Sequence, residues 1–364
     1  KKTKYSKTFK MQLLVTGMHL EKKFGLTKRE IEKDGFKIDA KINIDLKNDT
    51  PEGIAKSTST GIREITKAFS RLKPDGIVLL GDRFETFSAA ISAMFLNLPK
   101  IHIHGGELTE SMIDDTIRHS ITKMSNYHFV ANEIYKKRVI QLGENPKNVF
   151  CVGGLGVDNI NTIKLKSKQN LQKELRIIFG RKNLLITFHP VTLEIDTSKA
   201  QIIELLKSLE GLKETKLFFT APNADIGNKI IFEKIQSFVS RNSNSYFFES
   251  LGVVNYLSFL KYIDALVGNS SSGILEVPSF KKATINIGDR QKGRLMASSV
   301  INVKPIFSDI NKSLKIIYNK DFKQNLERTV NPYGEPGASD KILKKLSEIN
   351  FSKSIVKTFY DLKI

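Results

Sequence analysis

A chain of 364 residues is long for one hydrophobic core, so we expect two domains of ordinary size. The chain is 40% hydrophobic and 26% charged. No apolar run approaches the roughly 20 residues of a membrane span, and the lysine-rich start lacks the apolar segment of a signal peptide. These features predict a cytoplasmic protein without a membrane partner. The net charge of +20 comes mostly from dispersed lysines without interleaved aromatic residues, which disfavours nucleic acid and fits small anionic ligands such as nucleotides.

The first half of the chain alternates apolar runs with segments of helical spacing. Predicted strands cover residues 13–16, 76–80, 100–104, 127–131 and 149–152. Predicted helices cover residues 57–72, 85–96, 114–124 and 134–142. The apolar run at 76–80 is continuous, as is typical of a strand covered by helices on both faces. This rhythm predicts one doubly wound half that closes near Asn159.

A polar, lysine-rich stretch at 164–172 is predicted to join this half to a second one with the same rhythm. Predicted strands cover residues 184–188, 216–220, 245–248, 265–267 and 283–287. Predicted helices cover residues 200–209, 228–240, 253–260 and a segment from 273, and the tail at 339–362 has helical spacing.

The fold class is therefore α/β, with two doubly wound Rossmann-like domains that face a central cleft. We expect the first domain over residues 1–163 and the second over 164–338. Residues 339–364 are expected to pack back across both domains.

The triplet Gly81-Asp82-Arg83 follows the apolar run at 76–80. Ligands bind at the carboxyl ends of strands in such sheets, so the carboxylate is a candidate acid or base and the arginine a candidate phosphate contact. The alternative is a helix N-cap beside a solvated arginine.

The segment His102-Ile103-His104-Gly105-Gly106-Glu107 ends the next strand. Residues two apart on a strand point to the same face, and His104, at the strand's end, is the better placed to reach a ligand. Two glycines allow the backbone to approach that ligand closely. A metal site is disfavoured, because the chain has six histidines, one cysteine and no His-x-x-x-His pair. That cysteine, Cys151, is expected to be a buried, inert thiol.

Asp114 and Arg118 are spaced i, i+4 in the next predicted helix. A surface ion pair explains this spacing, and so does an active-site role in which Asp114 points from the first helical turn toward the cleft. The residues alone leave both interpretations open.

The second half carries a small, hydroxyl-rich loop, residues 268–273, followed by Glu276. Backbone N–H groups, hydroxyls and a helix N-terminus suit a phosphate, and the glutamate suits ribose hydroxyls. The loop has neither a Walker lysine nor the GxGxxG pattern, which disfavours an ATPase or a hydride-transfer enzyme. The alternative to a phosphate site is a loop whose serines only cap the following helix. His189 and Arg290 also follow strands of this half.

Taken together, these residues resemble the hydrolysing UDP-N-acetylglucosamine 2-epimerases of nonulosonic (sialic-type) acid synthesis. The resemblance runs from about residue 11 to the tail. It depends on residues 16–20, 81–83, 102–107, 113–119, 189–192, 268–273 with Glu276, and 289–294.

The resemblance implies elimination of UDP to a glycal, followed by hydration to N-acetylmannosamine, without metal or cofactor and in a homo-oligomer (dimer or tetramer). It implies catalytic roles for Asp82, His104, Glu107, Asp114 and His189. It implies UDP contacts for Arg83, His189, Asn223, Leu251, Gly268, Asn269, Ser270, Ser271, Glu276 and Arg290. Sugar contacts are implied for Glu107 and Arg118.

The sequence departs from this family's pattern at two places. Members of the sialic-acid branch have a catalytic glutamate at the position of His104. Histidine is more like the branch that acts on UDP-N,N′-diacetylbacillosamine in legionaminic acid synthesis, which makes that sugar the alternative substrate. The family's opening strand and Gly-Thr-Arg-type loop, whose arginine contacts UDP, have no counterpart before the strand at 13–16.

Four other functions are weighed against this one. A non-hydrolysing 2-epimerase would return a product still attached to UDP. A glycosyltransferase of the same architecture would need an acceptor site and no paired acids. A non-catalytic sensor would bind UDP without turnover, and a nucleic-acid-binding protein would lose affinity steeply with salt.

Overall fold

A computed structural model describes residues 3, 6–22, 25–46, 50–109, 113–191, 195–222, 227–351 and 356–362. The chain divides into two compact units. Unit 1 comprises Lys1–Glu107, Asp114–Gly153 and Gly337–Ile364, and unit 2 comprises Leu108–Ile113 and Gly154–Pro336.

The strands are β1 Leu14–Thr16, β2 Ala40–Ile42, β3 Ile77–Leu80, β4 Lys100–Ile103, β5 Tyr127–Val130, β6 Val149–Cys151, β7 Lys182–Thr187, β8 Thr215–Thr220, β9 Ser245–Phe248, β10 Ala265–Gly268, β11 Ala283–Ile287 and β12 Val300–Val303. The α-helices are α1 Lys28–Lys33, α2 Pro51–Leu72, α3 Phe84–Phe95, α4 Ile113–Met124, α5 Glu133–Gln141, α6 Leu155–Thr162, α7 Lys168–Leu175, α8 Ile195–Leu209, α9 Asn228–Arg241, α10 Gly252–Leu260, α11 Ser272–Leu275, α12 Phe307–Ile316, α13 Lys320–Glu327 and α14 Ala338–Glu348. The predicted α/β class is confirmed, and every described strand pairing is parallel.

Unit 1 holds a four-stranded sheet in the order β3-β4-β5-β6 and a separate pair, β1-β2. The two long helices α2 and α3 pack closely, since a Cβ on Gly61 would lie 2.9 Å from the Ser88 hydroxyl. Helix α2 begins where the Thr50 side chain accepts a hydrogen bond from the Gly53 N–H at 3.2 Å. The helix also places Ile65 and Phe69 in the core beneath β2.

Unit 2 holds a six-stranded sheet in the order β12-β11-β10-β7-β8-β9. This is the Rossmann order, in which the strand sequence reverses between β7 and β10. Each face of the sheet has its own buried cluster, because alternate strand residues such as Leu184 and Leu185 point to opposite helical layers. The carboxyl ends of β7 and β10 therefore lie at the switch point, where such sheets bind ligands.

Several predicted elements are corrected. Strand β3 is not covered on both faces: Val78 and Leu80 are 55% and 57% exposed. Strand β3 lies at the edge of its sheet, where fewer neighbouring segments can cover it. Within the described part of the tail, the α-helix is α14, and residues 356–362 contain no helix. The stretch predicted as a passage contains α7, whose N-cap Ser167 accepts from the Asn170 N–H at 3.3 Å.

No helix within the described ranges is long and apolar enough to cross a membrane.

Candidate active site

In unit 1, the loop after β3 is held by a buried histidine on the next strand. His102 Nε2 lies 3.0 Å from the Gly81 carbonyl oxygen, and Nδ1 lies 3.0 Å from the Thr122 hydroxyl. Burial lowers the pKa of His102 to about 3, so the ring is neutral. A carbonyl only accepts, so Nε2–H donates to Gly81 and Nδ1 accepts from Thr122. Gly81 has φ +79°, and the turn it makes presents Asp82 beyond the strand end.

His104 follows β4 and pairs with Glu107. The Nδ1 and Oε1 atoms lie 2.7 Å apart, the Glu107 side chain is 4% exposed and the His104 side chain is 17% exposed. A carboxylate oxygen accepts, so His104 Nδ1–H is the donor of this bond, and Nε2 is the ring nitrogen that the bond leaves available. His104 has φ +68°, in the left-handed region, so the chain turns sharply where β4 ends. Gly106 follows with φ +79°, and a Cβ there would lie 2.5 Å from the Tyr135 carbonyl oxygen.

Arg118 on α4 is among the largest fully buried side chains of the described chain, at 1% exposure. Its Nε donates to Asp82 Oδ2 at 2.8 Å, and its Nη2 donates to the same oxygen. Its Nη1 donates to the Glu107 carbonyl oxygen at 3.0 Å and to Asp115 Oδ1 at 3.1 Å. Asp82 and Arg118, 36 residues apart, are thereby brought together.

Helix α4 supplies a carboxylate that the sequence analysis missed. We singled out Asp114 through its i, i+4 spacing to Arg118, whereas the structure places Asp115, at i, i+3, on the guanidinium. Asp115 Oδ2 also lies 3.4 Å from His119 Nε2. Asp114 lies in the first turn of the same helix and is half-buried. Helical neighbours at both spacings share a face, so only the fold could distinguish the two aspartates.

Arg83 lies at the N-cap of α3, with its Nε 3.4 Å from Glu85 Oε2. Its side chain is 39% exposed, so it keeps access to solvent and to a ligand. Glu85 packs against Gly17, where a Cβ would lie 2.5 Å from Glu85 Oε1.

In unit 2, the candidate site lies at the switch point between β7 and β10. The His189 N–H donates to Asn269 Oδ1 at 2.7 Å, and Asn269 Nδ2 donates back to the His189 carbonyl oxygen at 2.8 Å. Gly268 has φ +141°, and a Cβ there would lie 2.0 Å from the Thr187 carbonyl oxygen, so only glycine fits. The two strand ends are thus locked to one another.

Two side chains after β11 extend this lock. Gln291 Nε2 donates to the Asn269 carbonyl oxygen at 2.9 Å, and Arg290 Nη1 donates to it at 3.3 Å. Burial, and secondarily the charge of Arg290, lowers the pKa of His189 to about 3. His189 is therefore a neutral hydrogen-bonding group next to a permanent cation.

The hydroxyl-rich loop contains Ser270, Ser271 and Ser272. The Ser272 N–H lies 3.3 Å from Ser270 Oγ, and the Tyr256 hydroxyl lies 2.6 Å from Ser272 Oγ. Helix α11 has only four residues, so a helix dipole contributes little, and backbone N–H and hydroxyl groups are what this loop offers to an anion.

Glu276 packs against the first turn of α6, where a Cβ on Gly156 would lie 2.6 Å from Glu276 Oε1. Leu251 is buried and precedes α10. Asn223 lies outside the described residues.

Within the ranges that the structure describes, no three His, Cys, Asp or Glu side chains gather in a way that could hold a metal ion. Cys151 is half-buried rather than fully buried. Burial and the nearby Glu133 carboxylate raise the pKa of its thiol, which keeps the sulfur protonated.

The chain is similar to known proteins over nearly its full length. The family model for UDP-N-acetylglucosamine 2-epimerase matches residues 1–347. The chain is 44% identical to GDP/UDP-N,N′-diacetylbacillosamine 2-epimerase (hydrolyzing) of Campylobacter jejuni, with 98% of this chain and 92% of the relative covered. It is 40% identical to polysialic acid biosynthesis protein P7 of Escherichia coli, with 97% and 90% covered.

Among solved structures, UDP-GlcNAc 2-epimerase from Neisseria meningitidis bound to UDP-GlcNAc matches with a TM-score of 0.83 at 18% identity, over 96% of this chain and 94% of that one. The likeness confirms the predicted fold, that of two-domain Rossmann-type nucleotide-sugar enzymes. The family match and the identity over nearly the full chain lead to one conclusion: the chain belongs to the UDP-N-acetylglucosamine 2-epimerase family of enzymes.

Proposed function

We propose that the chain is a hydrolysing 2-epimerase that converts UDP-N,N′-diacetylbacillosamine and water to UDP and the free sugar inverted at C2. The observation that carries the proposal is the acid–base cluster of unit 1, in which Asp82 and the His104–Glu107 pair are held by partly buried hydrogen bonds. The name of the Campylobacter relative supports this sugar. So does the histidine at position 104, where the sialic-acid branch has glutamate.

The first step removes UDP. A base takes the C2 proton, a double bond forms between C1 and C2, and the C1–O bond breaks with its electrons leaving on UDP. The C2 proton is only weakly acidic, so the step needs a positioned base and stabilisation of the departing diphosphate. His104 Nε2, whose ring is oriented by the bond from Nδ1 to Glu107, and the carboxylate of Asp82 are the candidate bases.

The second step adds water to the glycal. The water oxygen bonds to C1 and its proton goes to a basic group, while a protonated group on the opposite face gives a proton to C2. Inversion therefore needs acid–base groups on both faces of the sugar. Asp82, His104 and Asp114 come from three different strand ends or helices, which suits such a division.

Unit 2 would bind the UDP moiety. Arg290 gives a positive charge, and the Asn269–His189 pair fixes the two strand ends between which the diphosphate would lie. Ser270, Ser271 and the backbone of their loop would donate hydrogen bonds, with Glu276 placed for ribose hydroxyls. Neutral His189 would donate a hydrogen bond rather than a charge.

Turnover of three substrates tests this proposal. The purified chain would be incubated separately with UDP-N,N′-diacetylbacillosamine, its GDP-linked counterpart and UDP-N-acetylglucosamine in D₂O. Nucleotide release would be followed by chromatography, and the product by NMR. We expect UDP release from the first substrate at least about tenfold faster than from the third, with deuterium at an inverted C2.

UDP-N-acetylglucosamine is the second candidate substrate, because it gives the family its name and is bound in the Neisseria structure. Faster release from it would establish that alternative. No nucleotide from any of the three would contradict a hydrolysing enzyme, and a product still attached to the nucleotide would identify a non-hydrolysing one.

A further inference from the structure

The guanidinium of Arg118 is a buried charge with an unusual set of partners. A charge removed from water is stable only when it is paired and its hydrogen-bonding groups are satisfied. Among the described residues, partners come from three segments: Asp82 after β3, the Glu107 carbonyl after β4, and Asp115 on α4 itself. One side chain therefore ties together the segments that carry Asp82, the His104–Glu107 pair and Asp114.

The contact with Asp82 is one-sided. Both Nε and Nη2 donate to Oδ2, so the guanidinium does not engage the second carboxylate oxygen, Oδ1. The Asp82 side chain is 23% exposed, whereas that of Arg118 is 1% exposed. A ligand therefore has access to the carboxylate but hardly to the guanidinium.

We propose that Arg118 is a positioning residue for Asp82 rather than a sugar contact, and that Asp115 balances its charge from the same helix. This role rests on the proposed function of the acid–base cluster. The guanidinium fixes Oδ2 and so directs Oδ1 toward the substrate. Only the planar fork of arginine supplies two donors that converge on one carboxylate oxygen and a third donor to a carbonyl, so lysine cannot replace it.

A double-mutant cycle tests the role. Arg118→Lys keeps the charge but loses the fork, and we expect kcat to fall about 10- to 100-fold while KM and the Kd for UDP stay within about twofold. In an Asp82→Asn background, whose residual turnover is measured at high enzyme concentration, Arg118→Lys should lower the rate at least about threefold less than it does in the unmodified chain, since only its contact with the Glu107 carbonyl then affects the cluster. Arg63→Lys, on the exposed surface of α2, is the matched control and should leave all constants unchanged.

Multiplicative losses in the double mutant, or a raised KM with kcat retained, would overturn the positioning role in favour of a direct sugar contact. Normal kcat in Arg118→Lys would also overturn it. Hydrogen exchange gives a readout that does not depend on turnover: Arg118→Lys should accelerate exchange in residues 81–85 and 105–109, and Arg63→Lys should not. If the unmodified chain releases no nucleotide, the proposed function fails. Unchanged hydrogen exchange in Arg118→Lys would separately refute the positioning role of Arg118.

Discussion

The two units place different chemistry at the ends of their strands. In unit 1, Asp82, Glu107 and Asp115 are held by Arg118 and His104, so the cluster consists of ionisable groups that bind one another. In unit 2, the cluster consists of amide, hydroxyl and backbone groups around Asn269, with Arg290 as its cation.

This difference separates two requirements of the proposed reaction. Moving protons requires groups whose charge can change, whereas holding a diphosphate requires fixed donors and a permanent positive charge. Neutral His189 fits the second role, because a pKa of about 3 leaves the ring uncharged at neutral pH, so that it can donate a hydrogen bond but cannot act as an acid. Unit 1 would therefore govern kcat and unit 2 the affinity for UDP.

The sharpest test removes the charge of Asp82. Asp82→Asn keeps the shape of the side chain but cannot take a proton, so we expect kcat to fall about 10³-fold, equivalent to about 4 kcal/mol, with the Kd for UDP within about twofold. Steady-state kinetics and calorimetric titration with UDP measure the two quantities. Asp321→Asn, on the exposed first turn of α13, is the matched control. Loss of UDP affinity in Asp82→Asn would contradict the division of roles.

A substitution at Gly268, at the end of β10, tests the proposed role of unit 2 in UDP binding. Gly268→Ala would push a methyl group into the Thr187 carbonyl, so we expect at least about 3 kcal/mol of destabilisation and a loss of UDP affinity. Gly211 has φ +73° with open space around it, so Gly211→Ala isolates the backbone strain, about 1 kcal/mol. Equal shifts of the melting temperature in the two variants would show that the contact with Thr187 is unimportant.

Arg290 tests whether unit 2 acts through charge. Arg290→Gln should weaken UDP binding about 10- to 100-fold, since a charged hydrogen bond to a diphosphate contributes roughly 1.5–3 kcal/mol. The loss should shrink as salt concentration rises, because screening weakens the contribution of the charge in the unmodified chain. Saturating substrate should restore most of kcat. A kcat that stays low at saturation would place Arg290 in the chemical step and blur the comparison between the units.

The strand-end motifs could be predicted from the sequence because parallel strands are short apolar runs, and whatever follows them lies at one edge of the sheet. That rule located Asp82, His104 and Asn269 without coordinates. It could not find β2, Ala40–Ile42, which has only three residues and no strong boundary signal. It also could not show that Val78 and Leu80 are exposed, since exposure depends on which segments pack over an edge strand.

The hydrogen-bond partners of Arg118 could not be predicted from the sequence, for a different reason. Its main partner, Asp82, is distant in the chain, and the choice between Asp114 and Asp115 depends on side-chain direction. Helical spacing narrows such choices to two neighbours but does not decide between them. The contact between the Tyr256 hydroxyl and Ser272 could not be predicted either, because it forms only when α10 packs beside the loop.

The smallest expected effect is a change of the free energy of unfolding with pH, to which each unit contributes one histidine. His102 in unit 1 and His189 in unit 2 are buried, and burial lowers the pKa of each to about 3. An unfolded histidine titrates near 6.5, so between pH 6.5 and 3 the unfolded chain binds a proton that the folded chain excludes. The contribution of each histidine to stability is therefore complete above pH 6.5 and is lost as the pH falls, by about 1.4 kcal/mol per pH unit.

Urea unfolding of the full chain between pH 7.5 and 5, followed by circular dichroism, measures this slope. His102→Gln keeps a donor for Gly81 and an acceptor for Thr122 but cannot bind the proton, so its slope below pH 6.5 should be about 1.4 kcal/mol per pH unit smaller than that of the unmodified chain. His189→Gln should reduce the slope by a similar amount, and the double variant by the sum, because the two sites belong to different units. A slope unchanged in either variant would mean that below pH 6.5 this histidine binds its proton in the folded chain as readily as in the unfolded chain. For His189, that result would turn a neutral donor into a second cation and remove the contrast in charge type between the units.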